Sequence, residues 1–150
     1  MIKSGIYPNP EADKEHHSFI FSIYPHKGDW RSAKTIDKAY ALNNPMKGII
    51  KESEGGTLPT ESSVVKVDVD NVIIEVVKEA EDSEDMIIRL YEAYNRRSKV
   101  KMTFEKEINK ISECNMIEEE VNVLESMNNQ VEFNIKPYEI RTFKVTFKNI

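Results

Sequence analysis

The chain has 150 residues, of which 31% are charged, and a formal net charge of -5. This length suits one compact domain, or a small domain with an extra segment. The acidic balance argues against a nucleic-acid partner, and no apolar run reaches the roughly 18 residues of a membrane span. Because the first residues, MIKSGIYPNP, lack the apolar core of a signal peptide, we expect a cytoplasmic location and no membrane partner.

The first third of the chain predicts one strand and one helix. In the segment HSFIFSIYPH, residues 17–26, apolar residues recur at alternate positions, Phe19, Phe21 and Ile23, and the pattern ends at a proline. Such a pattern predicts a β-strand. An amphipathic pattern then predicts a helix over residues 29–43, with Asp29 as its N-cap. The glycine- and hydroxyl-rich stretch KESEGGTLPTESS, residues 51–63, is the best candidate for a linker.

The rest of the chain predicts six strands, because apolar or β-branched residues alternate with polar ones. They are SVVKVDVD, NVIIEVVK, DMIIRLYEAY, KVKMTFEK, QVEFNI and IRTFKVTF. The fold class is therefore mainly β: an antiparallel, immunoglobulin-like β-sandwich with one N-terminal strand and one α-helix. We expect a segment over residues 1–57 and a sandwich domain over residues 58–150.

Five carboxylates crowd between the second and third of these strands. The favoured interpretation is a solvated hairpin tip. A calcium loop is the alternative, but it requires a glycine at its sixth position, where counting from Asp82 gives Ile87. A catalytic pair would need a cleft that perturbs one pKa, which adjacent carboxylates on a turn lack. The residues concerned are Glu79, Glu81, Asp82, Glu84 and Asp85.

Histidine and cysteine give weak signals. The consecutive His16 and His17 would point to opposite sides of a strand, and His26 follows its end, so a shared metal ion is disfavoured. Cys114 is the only cysteine, which excludes an intrachain disulfide. Its acidic neighbours disfavour a reactive thiolate, and we interpret it as a small buried hydrophobe.

The densest cluster of specialised residues is YPHKGDW, residues 24–30. It could be a sugar-facing loop, since Trp30 and Tyr24 offer flat apolar faces. The favoured interpretation is a strand-to-helix corner, in which Pro25 ends the strand, Gly28 allows the turn and Asp29 caps the helix.

Taken together and in order, YPHKGDW, ALNNP, VVKEAEDSEDMIIRLYEAYNRRSKV, SECNMIEE and KPYEIRTFKV resemble the C-terminal end of the α-mannosidases of glycoside hydrolase family 38. The resemblance implies that residues 1 to about 50 are the last strand and helix of a larger β-domain, and that the rest is the terminal small β-sandwich. Structural roles are expected at the matched positions Tyr24, His26, Gly28, Asp29, Trp30, Arg89, Tyr91, Glu92, Pro137, Glu139 and Ile140.

The family's catalytic aspartate and metal ligands belong to an N-terminal domain whose motifs do not occur in this sequence. We therefore assign no catalytic, cofactor-binding or metal-binding residue, and expect the divalent metal in the catalytic domain. Asn95 stands where the family commonly has glycine, and asparagine also tolerates positive φ. Without the rest of its sheet, the first segment is expected to leave an apolar patch around Phe19, Phe21, Trp30 and Tyr40.

The resemblance implies a non-catalytic domain that supports an α-mannosidase and is inactive by itself. The expected partners are the remaining domains of that enzyme, with carbohydrate and a homo-oligomer as further candidates. A carbohydrate-binding β-sandwich module is the alternative function, and a free-standing structural or adhesion sandwich is a third.

Overall fold

The computed structural model of the chain describes Gly5 and residues 7–50, 55–57 and 59–148. The chain divides into two compact units, Met1–Ile50 and Lys51–Ile150. Part of the predicted linker, residues 51–54 and 58, lies outside the described residues.

The first unit contains the helix α1, Thr35–Asn43. It ends where we predicted but begins later, because Lys34 adopts a left-handed conformation with φ of 52°. Asp29 therefore caps the preceding turn rather than the helix, and its Oδ1 accepts a hydrogen bond from the Ser32 amide at 2.8 Å.

The predicted N-terminal strand differs from the structure. Residues 16–26 belong to no strand, and Phe19, Phe21 and Ile23 are 67%, 78% and 86% exposed. A strand is defined by hydrogen bonds to a neighbour, and the described part of this unit offers no strand to pair with. The alternating pattern is present, but the ladder is not.

The described part of the second unit contains nine strands: β1 Val65–Val67, β2 Val72–Glu79, β3 Met86–Glu92, β4 Ser98–Phe104, β5 Ile108–Cys114, β6 Glu120–Val123, β7 Ser126–Met127, β8 Gln130–Ile135 and β9 Ile140–Phe147. One sheet has the order β1-β4-β8-β7 and the other β2-β3-β9-β5-β6. All strand pairs are antiparallel. The predicted mainly β, antiparallel sandwich is confirmed.

The two sheets share one apolar core. Its buried side chains come from both sheets and include Ile88, Leu90, Met102, Phe133 and Phe143. On β9, Phe143 and Val145 enter this core, so Thr142 and Lys144 lie on the outer face of the five-stranded sheet.

All six strands predicted in this unit are present, but three further strands were missed. The pairing of β5 with β9 shifts register between Ile108 and Lys110, so the buried residues Ile108 and Ile111 are three apart. This bulge breaks the alternation on which the prediction relied. The strands β6 and β7 have only four and two residues, all of them exposed, and are too short to give a clear alternating pattern.

Candidate functional site

A polar cleft of about 590 Å³ opens at the end of the sandwich where β4 begins and β8 ends. Its residues come from four strands, from Arg97 just before β4, and from the turn between β8 and β9. Four of the side chains are basic, two are acidic and one is apolar. They are Arg97, Ser98, Lys99, Glu113, Asn134, Ile135, Lys136, Glu139 and Arg141.

One side of the cleft is formed by a fixed ion pair. Arg141 donates from Nε to Glu113 Oε1 at 2.8 Å and from Nη2 to Oε2 at 2.5 Å. A third bond reaches the Asn134 carbonyl at 2.8 Å. The guanidinium also lies 5.0 Å and 5.1 Å from the ring centres of Phe133 and Phe143. This two-point pairing and stacking hold both charged side chains in place.

The turn at residues 136–139 forms another side of the cleft, and the side chain of Glu139 closes this turn with a hydrogen bond. Glu139 Oε2 accepts a hydrogen bond from the Lys136 amide at 2.7 Å. The Glu92 amide donates to the Glu139 carbonyl at 3.0 Å, which joins the turn to the end of β3. Tyr138 has a φ of 56° at the centre of this turn.

Beneath the turn lies Glu92, whose side chain is completely buried. Its Oε1 accepts hydrogen bonds from Asn71 Nδ2 and the Tyr94 amide, both at 2.8 Å, and its Oε2 accepts one from the Tyr138 amide at 3.0 Å. Burial by itself would raise the pKa of Glu92, but the hydrogen bonds from Tyr138, Asn71 and Tyr94 outweigh it and lower the pKa. The carboxylate is therefore charged and serves as an acceptor for three separate segments.

The same network reaches the β4 side of the cleft. Asn71, which is 2% exposed, accepts a hydrogen bond on its Oδ1 from the Ser98 hydroxyl at 3.1 Å. Ser98 and the turn at residues 136–139 are thus linked through Asn71 and Glu92. Asn95, just before β4, has a φ of 60°, as we predicted from its position in the motif.

The acidic stretch is the predicted hairpin tip. The strands β2 and β3 pair up to Glu79 and Met86, and the Ala80 amide donates to the Asp85 carbonyl at 2.9 Å. Several of the carboxylates have specific partners. Asp82 pairs with Lys144 at 2.6 Å and Glu81 with Lys78 at 2.8 Å. The tip is therefore tied to the sheet rather than only solvated.

Lys144 is the buried partner of that tip, at 8% exposure on the outer face of the sheet. Its hydrogen bond to Asp82 raises the pKa of Lys144, and the same bond lowers the pKa of Asp82. Lys78 pairs at 2.8 Å with Glu118 of the β5–β6 turn as well as with Glu81. Two hairpin turns are therefore held over one face of the sheet by lysines.

The cluster at residues 24–30 makes local contacts that fit a corner. The Tyr24 hydroxyl donates to the Ala33 carbonyl at 3.3 Å, and Gly28 has a φ of 74°, where a Cβ would lie 2.6 Å from Ser32 Oγ. Trp30 is 37% exposed, with the Arg31 guanidinium 4.8 Å from its ring centre. One face of the indole is therefore covered by Arg31 within the corner.

The described side-chain hydrogen bonds of His17, His26 and Cys114 are local. His17 bonds the Asp13 carbonyl at 2.9 Å and His26 the Lys27 carbonyl at 3.4 Å. Cys114 is buried at the end of β5, and this burial, followed by the charge of Glu120, raises the pKa of its thiol. Among the described residues, no group of three or more His, Cys, Asp or Glu side chains could hold a metal ion.

Both carboxylates of the cleft accept hydrogen bonds from groups of the sandwich. Both oxygens of Glu113 accept hydrogen bonds from Arg141. Glu139 is occupied in closing its turn. The cleft has the features of a binding surface.

Two facing antiparallel sheets around one core, with a polar cleft at one end, define the class: a small β-sandwich domain. Residues 71–143 match the family described as the glycosyl hydrolases family 38 C-terminal beta sandwich domain. These residues of the sandwich are similar to that family, and the resemblance predicted from the five motifs is confirmed.

Relatives over nearly the whole chain are α-mannosidases. Alpha-mannosidase G of Dictyostelium discoideum is 29% identical over 150 residues, which cover 96% of this chain and 14% of that protein. Alpha-mannosidase 2C1 of Mus musculus is 24% identical over 99% of the chain and 15% of its own length. The human protein of that name is 27% identical over 93% and 14%. The chain thus spans about one seventh of the length of these relatives. None of the described helices is long and apolar enough to cross a bilayer.

Proposed function

We propose that the chain is a non-catalytic C-terminal part of an α-mannosidase, which supports a catalytic domain that hydrolyses terminal α-mannosides. The family of the sandwich and the names of its relatives support this function. The matched part is about one seventh of those proteins, so the chemistry belongs to the remainder in this proposal.

The observation that carries the supporting role is the exposed pattern of residues 16–26. Phe19, Phe21 and Ile23 alternate along the sequence and are all exposed, and Ile20 between the first two is 87% exposed. Trp30 is also exposed, as predicted, whereas Tyr40 is half-buried. Exposed apolar side chains in such number mark a surface that is covered in an assembly. The occupant in this proposal is a sheet of the larger β-domain of the same enzyme.

The proposed domain arrangement follows from this role. Residues 1–57 would be the end of the larger β-domain, and residues 58–150 the terminal sandwich. The division into compact units at Ile50 and Lys51 supports a boundary in this region. Homo-oligomers and a cytoplasmic location remain part of the proposal, and sedimentation and cell fractionation of the parent enzyme test them.

The divalent metal that the family implies does not fit the cleft. Its two carboxylates are Glu113, with both oxygens bonded to Arg141, and Glu139, with one oxygen bonded to the Lys136 amide. Four cations line the same space, which opposes a further positive charge. We assign the metal to the catalytic domain.

Two measurements test the function. The chain alone is expected to give no turnover of a chromogenic α-mannoside, and measurable turnover would refute the non-catalytic role. In the second, the chain replaces the matched region of the Dictyostelium relative. This chimera is expected to hydrolyse the substrate, and the double substitution Phe19→Ser and Phe21→Ser is expected to lower its thermal stability. The same substitutions in the isolated chain are the control and should change little.

A carbohydrate-binding module is the alternative. Titration with mannose oligosaccharides, followed by fluorescence of Trp30, separates it from the supporting role. A saturable change in emission would favour the binding module, whereas the supporting role predicts none. The guanidinium of Arg31 over the indole ring weighs against a stacking platform there.

A further inference from the structure

The charges that line the cleft do not cancel. Arg97, Lys99, Lys136 and Arg141 face Glu113 and Glu139, which leaves a surplus of two positive charges. Arg141 and Glu113 neutralise each other through two hydrogen bonds. The surplus therefore lies at the rim, in a protein whose formal net charge is -5.

The rim cations are available to a ligand. Arg97 is exposed, and Lys136 reaches Glu139 only at 4.0 Å, with its own side chain 70% exposed. Lys99 pairs at 2.5 Å with Glu132, and its side chain is 68% exposed. Exposed pairs of this kind contribute little stability, so a ligand can compete for these ammonium groups.

The cleft is held in shape from beneath. The buried Glu92 accepts hydrogen bonds from Tyr138 in the turn and from Asn71, and Asn71 accepts one from Ser98 on the opposite side. The cations on both sides are therefore attached to backbone that one buried network fixes. A binding surface ordered before the ligand arrives loses less entropy on binding.

The chemistry of these groups selects an anion. The planar fork of arginine and the ammonium of lysine both bind the oxygens of carboxylates and phosphates. The lining residues include no aromatic ring on which a sugar could stack. We propose that this cleft binds a small ligand through an oxyanion group, either a carboxylate or a phosphate, held by Arg97 and Lys136 at the rim.

The experiment is a titration of the ¹⁵N-labelled full chain, followed by NMR of the backbone amides. The probes are inorganic phosphate, citrate and methyl α-mannoside. Saturable shifts of residues 97–99 and 134–139 are expected with phosphate or citrate and weaken as salt is added. Phosphate and citrate distinguish the two sources of the oxyanion, and binding of either one supports the proposal.

Variants locate the site. Arg97→Ala and Lys136→Ala each remove an exposed cation and are expected to weaken binding about tenfold, the effect of losing a hydrogen bond to a charged group. Lys106→Ala is the matched control, because Lys106 is an exposed cation in the β4–β5 turn, beyond the opposite end of β4. Thermal melts verify that all three variants stay folded.

Three results would overturn the proposal: shifts with methyl α-mannoside alone, no saturable shift with either anion, or equal losses in Lys106→Ala and Arg97→Ala. The last would show only a response to net charge. Each of these results leaves the supporting role in an α-mannosidase untouched, since that role does not depend on the cleft.

Discussion

Replacing Glu92 by glutamine is the sharpest test of the buried network. The carboxylate accepts hydrogen bonds from Asn71 and Tyr94 on one oxygen and from Tyr138 on the other. An amide has one acceptor oxygen and one donor group. If its oxygen keeps the bonds to Asn71 and Tyr94, its NH₂ faces the Tyr138 amide, and that donor loses its partner.

The expected cost follows from one lost hydrogen bond to a buried charge, about 1.5–3 kcal/mol. For a domain of this size each kcal/mol corresponds to roughly 4–8 °C in melting temperature, so we expect Glu92→Gln to melt about 10 °C lower. Thermal unfolding followed by circular dichroism measures this. Glu84→Gln is the control, since Glu84 is exposed on the hairpin tip, and its melting temperature should be close to that of the native chain.

The effect should also depend on pH. The pKa of Glu92 is lower in the folded chain than the ordinary value of 4.5. The stability that the Glu92 carboxylate contributes is therefore fully present above the pKa that Glu92 has in the unfolded chain. This stability is lost as the pH falls through the pKa of Glu92 in the folded chain. The difference in melting temperature between the native chain and Glu92→Gln should therefore shrink as the pH falls below about 4.5. A variant as stable as the native chain, or a difference unchanged by acid, would refute the network.

Three further substitutions test the core, a turn and the tip. Phe143→Ala removes a fully buried ring and should lower the free energy of unfolding, measured by urea denaturation, by about 3–5 kcal/mol. Phe21 is 78% exposed, so Phe21→Ala should change the same free energy by less than about 0.5 kcal/mol. Residue 95 has a φ of 60°, which strains a β-branched side chain but not glycine. Asn95→Val should therefore lower the free energy of unfolding by about 1–2 kcal/mol, whereas Asn95→Gly should not. Equal effects of the two substitutions would contradict an explanation by backbone strain. Asp82→Asn leaves the ammonium of Lys144 buried without its carboxylate and should lower the melting temperature more than Lys144→Met does. The reverse order would contradict the buried ion pair.

The alternation of apolar and polar residues in the sequence predicts strands correctly where it continues over several residues. QVEFNI coincides with β8, where buried and exposed residues alternate, and IRTFKVTF coincides with β9, where apolar and polar residues alternate from Thr142 to Phe147 although Thr142 and Lys144 are buried too. The pattern fails where the backbone departs from a regular ladder, as in the bulged β5, or where it lacks a neighbouring strand, as in residues 16–26. In both cases tertiary pairing decides the outcome, and local periodicity does not contain that information.

The cleft could not be predicted, because its residues lie on elements far apart in the sequence. Arg141 and Glu113 are 28 positions apart and meet only because β5 pairs with β9. Glu92 does leave a signal in the sequence. Ile88 and Leu90 precede it at alternate positions of β3, so a carboxylate occupies an inward-facing site. A carboxylate at an inward-facing position of a strand predicts that buried hydrogen-bond donors surround it.

The charged residues of β9 also favour one register of this strand in its sheet. This strand is third of five in its sheet and carries Arg141 at the cleft and Lys144 beneath the hairpin tip. A slip of one residue would turn Lys144 toward the core and Phe143 toward the outer face. It would separate Arg141 from Glu113 and Lys144 from Asp82 at the same time, leaving buried charges unpaired at both ends. The two ion pairs therefore penalise the wrong register, and the strand that orders the core also sets the position of the cleft.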